Sequence, residues 1–149
     1  MPDFLIHHNA LILVGDGNKA LFLRNRGTPQ KLDLAVEQIL DGAENPPTRD
    51  QGTDRPGRVM QSVGSSRSSV EQTDWHTLEE QKFASTIADA LYRSVLDNKF
   101  AELVIVAPPK TLGMLRQSFH KQVSERIHGE VPKTFTSLPV DEIQRLLEA

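Results

Sequence analysis

The run Phe100-Ala-Glu-Leu-Val-Ile-Val-Ala107 limits what this chain can fold into more than any other segment. It is almost wholly apolar, and it stops at Pro108-Pro109. A strand that reads as continuously hydrophobic, rather than alternating, is covered on both faces, as central strands of α/β sheets are. The prolines end it, because neither can donate a ladder hydrogen bond. The rest of the chain has to be layered around that strand.

Upstream, Asn9 to Asn18 is a short apolar run that closes in Gly15-Asp-Gly-Asn18, residues that tolerate the positive φ of hairpin turns. Lys19 to Asn25 forms a second strand, and Arg26-Gly-Thr-Pro29 a second turn. Leu32, Leu34 and Val36 alternate with Asp33, Ala35 and Glu37, the period-two pattern of a half-buried strand. Three antiparallel strands follow from this.

From Gly42 to Asp74 the pattern dissolves. Pro46, Pro47 and Pro56 break regular structure, and Ser62 to Ser69 is nearly all small and polar. Such a segment buries too little apolar area to offset an ordering cost of about 1–2 kcal/mol per residue, which predicts a long disordered loop. Within it Arg58, Val59, Met60 and Arg67 are the candidate partner-binding residues. Asp74 then caps a long helix whose Phe83, Ile87, Leu91 and Val95 make one apolar stripe, with Ala84 and Ala88 beside them. Asn98 suits a left-handed position at its end. After the central strand a helix is expected from about Thr111, carrying Leu112, Leu115, Phe119, Val123 and Ile127 and closed by Gly129. A strand over Glu130 to Thr136 and a short helix from Pro139, with Ile143, Leu146 and Leu147 inward, complete the chain.

The expected fold is a single α/β domain, 1–149, interrupted by the loop at 42–74. It has a mixed five-stranded sheet in the ribonuclease H-like order 3-2-1-4-5. With 17 basic and 20 acidic side chains, the formal charge of -3 argues against general nucleic-acid affinity. The chain has no cysteine, which removes thiolate metal sites and thiol catalysis. No stretch approaches the ~20 apolar residues of a membrane helix, and Met1-Pro-Asp-Phe4 has no basic leader. A cytoplasmic location without membrane contact is expected.

Chemistry-bearing motifs are sparse. His7 and His8 are adjacent, so on a strand their rings would point apart. His120 and His128 would lie about two turns apart on a helix, so neither a metal nor another cofactor is expected. Asp16, Asp33 and Glu37 could serve a two-metal nuclease only if they converged, and Asp16 reads more simply as a turn residue. The feature with positive content is the helix start after the central strand. Lys110, Thr111, Gly113 and Arg116 there are candidates for anion or RNA-phosphate binding, with Gly113 alternatively allowing close packing.

Several stretches together resemble the bacterial host attachment protein family, described as proteins required for attachment to host cells. They are Leu13-Val-Gly-Asp-Gly-Asn-Lys-Ala20, Phe83-Ala84 with Leu91, Leu103-Val-Ile-Val-Ala-Pro-Pro-Lys-Thr-Leu-Gly-Met-Leu-Arg116, Thr134-Phe-Thr136 and Leu138-Pro139. The resemblance implies a fold related to the middle domain of archaeo-eukaryotic peptide-chain release factors. There, a Gly-Gly-Gln loop precedes the long helix and enters the ribosomal peptidyl-transferase centre. Here the matching loop holds Gln51-Gly52, Gly57-Arg58 and Val63-Gly-Ser65 but no Gly-Gly-Gln, so the hydrolytic glutamine is not carried over. Three readings result. The first is a non-catalytic cytoplasmic regulatory protein linked indirectly to attachment, acting on an unidentified protein partner. The second is a translation-associated factor binding ribosomes or RNA through the loop and the Lys110–Arg126 helix. The last is a metal-dependent nuclease.

Overall fold

The computed structural model describes residues 4–42 and 69–148, with 69–74 described as helix backbone. Five strands form one sheet: β1 (Leu11–Gly15), β2 (Lys19–Asn25), β3 (Leu34–Asp41), β4 (Leu103–Val106) and β5 (Ile127–Val131). Their order is β3-β2-β1-β4-β5. The pairs β1–β2 and β2–β3 are antiparallel, and β1–β4 and β4–β5 are parallel. This is the mixed sheet that the sequence predicts. Every residue of β4 is fully buried, as an uninterrupted apolar strand between two helical layers has to be.

The described helices are α1 (Ser69–Leu96), α2 (Pro109–Ser118), α3 (Lys121–Ser124) and α4 (Val140–Glu148). One layer packs Phe83, Ala84, Ile87, Ala88, Leu91 and Val95 of α1 on Leu11, Leu13, Phe22, Leu103 and Ile105, with Leu112 and Leu115 of α2 alongside. The opposite face packs Ile143 and Leu147 of α4 on Ile12, Val14, Leu21, Leu23, Val104 and Val106. The α1 stripe is therefore the one predicted from four-residue spacing, and Asn98 has the expected left-handed backbone, with φ 53°.

Three expectations about boundaries are corrected. First, α1 begins at Ser69, so Asp74 lies inside the helix and not at its N-cap. No glycine or proline follows Gly64 in that stretch, so nothing in the chain stops the helix from starting earlier. Secondly, the helix expected to run to Gly129 ends at Ser118, and α3 is a single further turn. Ile127, His128 and Gly129 instead belong to β5, where Ile127 pairs with Leu103. Pairing with the central strand outweighs the helical spacing of the apolar residues. Thirdly, none of the described glycines has positive φ. The β1–β2 turn is closed by a side chain: Asp16 Oδ1 accepts from the backbone N–H of Asn18 (2.7 Å) and of Lys19 (2.8 Å).

The alternation expected in β3 is interrupted. Val36 pairs with Leu23 and Gln38 with Phe22, which leaves Glu37 as an extra residue in a β-bulge. Val36 and Ile39 of this edge strand stay exposed, although Leu32 and Leu34 are buried.

Candidate functional site

The carboxyl ends of β1 and β4 lie at one edge of the sheet, the edge where open α/β sheets bind ligands. Here Asp16, Glu80, Lys110 and Thr136 come together from four parts of the chain. Glu80 of α1 lies over Gly17, where an added Cβ would meet its Oε2 at 2.7 Å. Lys110 Nζ pairs with Glu80 Oε1 at 3.2 Å. The buried Thr136 donates its hydroxyl to Asp16 Oδ2 at 2.6 Å.

The sequence candidates divide here. Lys110 is at the start of α2 but is partnered by Glu80. Arg116 pairs through Nε and Nη2 with Glu130 of β5, and the hydrogen bond and then the charge of Glu130 raise its already high pKa. Thr111 is buried. A Cβ at Gly113 would meet nothing within 4 Å, so this glycine is not needed for close packing. Lys121 pairs weakly with Glu125, at 3.9 Å. With these cations answered by carboxylates, the helix offers phosphate less charge than its sequence suggests. Arg58, Val59, Met60 and Arg67 lie outside the described residues.

The amino-terminal extension of α1 is not legible in the sequence. Gly42, whose N–H donates to Asn18 O at 2.8 Å, leaves β3 at this same edge. Glu80 and Phe83 contact Gly17 and Gly42 there, while Ser94 lies near Leu11 at the other end of the sheet. The eleven residues from Ser69 to Glu79, roughly 16 Å of helix at about 1.5 Å per residue, therefore continue past this edge. On this overhang Trp75 is 57% exposed and Leu78 48% exposed. Lys82 Nζ stands 5.8 Å from the Trp75 ring centroid. A lone tryptophan in a polar stretch carries no periodic signal, and only the position of the sheet edge reveals the overhang.

The nuclease set does not assemble. Asp16 is bound into its turn, whereas Glu37 forms an ion pair with Arg24 at 3.0 Å, near the opposite end of the sheet. At that opposite end, Glu102 and His7 border a groove of about 740 Å³, and His128 stands beside them. The spacing of the histidines gives no hint of this grouping, because three separate segments supply it.

No described helix is long and apolar enough to cross a membrane. The profile of a family described as bacterial archaeo-eukaryotic release factor family 12 matches residues 9–147. The chain is also 25% identical, over 123 residues, to an uncharacterized protein of Rickettsia prowazekii (strain Madrid E). That match covers 81% of this chain and 76% of the relative. The expected relation to release factors is thus found, while host attachment figures in neither description.

Proposed function

Because the chain belongs to bacterial archaeo-eukaryotic release factor family 12, we propose that it is a translation-associated factor that binds the ribosome. The observation that carries this reading is the overhang of α1, which presents Trp75 and Leu78 beyond the sheet edge. An exposed indole with a lysine beside it suits stacking on a splayed base or anchoring in a pocket of a ribosomal protein. The proposed role is binding without peptidyl-tRNA hydrolysis, since the chain has no Gly-Gly-Gln. A cytoplasmic location belongs to the same proposal. The attachment-linked regulatory reading ranks second, supported only by the sequence resemblance.

Co-sedimentation with ribosomes at low salt tests the proposal. The protein should pellet with ribosomes, and Trp75→Ala should weaken this at least tenfold. Arg58→Ala with Arg67→Ala should weaken binding and make it less dependent on salt. If nothing co-sediments even at low salt, the ribosome reading is wrong.

A further inference from the structure

At the amino end of the parallel strands, His7, Glu102 and His128 each offer a ligand atom, and the three atoms lie within 4.8 Å of one another. We propose that this cluster is a binding site for a divalent transition-metal ion of the zinc class. The site is separate from the ribosome-binding reading and does not depend on it.

The chemistry of the donor set comes first. Two imidazoles and one carboxylate suit zinc and its first-row neighbours, with positions left open on the ion. Facing a carboxylate, His7 Nδ1 carries the proton and donates to Glu102 Oε1 at 2.8 Å and Oε2 at 3.1 Å. Two ligands at the tetrahedral angle on an ion with bonds of about 2.0–2.1 Å lie about 3.3 Å apart. The His7–Glu102 separations of 2.8 and 3.1 Å need to widen only slightly to reach that spacing, so an ion can take the place of the shared proton. A simple ion pair would need no third group, yet the His128 ring lies 5.1 Å from the His7 ring, tilted by 48°.

The backbone around the cluster is fixed. The carbonyl of His7 accepts from the buried Asn25 amide (3.2 Å) and from Ala10 N (3.1 Å). The carbonyl of Glu102 accepts from Leu11 N at 3.0 Å. His128 sits on β5, with the Phe4 ring packed edge-on against it at 5.7 Å. Such ordering of ligands before binding lowers the cost of binding. Lys99 and Arg126 line the adjoining groove and could hold an anion that completes the coordination.

Isothermal titration of the metal-free protein with zinc chloride is the direct test. One ion per chain is expected, with affinity reduced at least tenfold in His128→Ala and in Glu102→Gln, and unchanged in His120→Ala, whose ring stacks on Tyr92 elsewhere. Circular dichroism melts check that each variant is folded. His128 is exposed, so its replacement leaves the core intact. Cobalt(II) provides a second readout, its visible absorption band changing in His128→Ala. No saturable zinc binding, or an equal loss in His120→Ala, overturns the site.

Discussion

Thr136 and Asp16, 120 residues apart, are joined by a 2.6 Å hydrogen bond from the threonine hydroxyl to Oδ2. The other oxygen of Asp16 closes the β1–β2 turn. One carboxylate thus shapes a local hairpin and ties the segment after β5 to it. Asp16→Ala is expected to cost about 2–3 kcal/mol, because several donors lose a charged acceptor. Asp16→Asn should cost less. Urea unfolding midpoints measure both, and equal stability of Asp16→Ala and the parent would refute this account of the turn.

Asn25 is fully buried and makes four well-placed hydrogen bonds. Its amide nitrogen donates to the carbonyls of Ile6 and His7, and its oxygen accepts from the N–H groups of Gly27 and Asp33. Asn25→Ala should therefore lose about 3 kcal/mol, at the upper end of the cost of orphaned buried groups. Faster amide exchange at Gly27 and Asp33 should accompany the loss. Unchanged exchange at both positions would count against the role given to this side chain.

The glycines at the carboxyl edge should respond in opposite directions. Gly113 lies in a helix interior with open space where a Cβ would go, so Gly113→Ala should stabilise by about 0.5–1 kcal/mol. Gly17→Ala should instead displace Glu80 and break its pair with Lys110. Thermal melts of the two variants should move apart. A shift in the same direction would show that the packing at Gly17 is looser than described.

Gly129 lies directly beneath the Phe4 ring, so an alanine there has to expel the ring. Gly129→Ala is expected to cost about 1–3 kcal/mol, the range for overpacking. Proteolysis near the amino-terminal segment should also become faster. Wild-type resistance would mean that the ring can be accommodated elsewhere.

Ile143 is fully buried between α4 and the sheet. Ile143→Ala should cost about 2–5 kcal/mol, the range for deleting a buried branched side chain. The exposed Ile39 provides a control, since Ile39→Ala should cost little. Comparable losses at the two positions would argue against α4 as the cover of this face.

The sheet was legible in the sequence because its signals are local. The apolar run of β4, the period-two strands and the α1 stripe each follow from burial on a stated number of faces. The start of β5 was not, because Ile127 follows the helical spacing of Leu115, Phe119 and Val123 and becomes strand only through its pairing with Leu103. The Lys110 and Arg116 candidates were placed correctly at α2, but their carboxylate partners, Glu80 and Glu130, lie on other elements. The grouping of His7, Glu102 and His128 was hidden for the same reason. It depends on the parallel register of β1, β4 and β5, and no one-dimensional spacing encodes that register.

The bulge at Glu37 also has a consequence for solubility. An edge strand exposes unpaired backbone groups and can template a strand from another molecule. In β3, with Val36 and Ile39 facing water, this hazard would be considerable if the strand were regular. The extra residue breaks the repeat that an incoming strand would have to match, and the Arg24–Glu37 pair sets charge at the break. The irregularity therefore works against strand-to-strand self-assembly along the β3 margin.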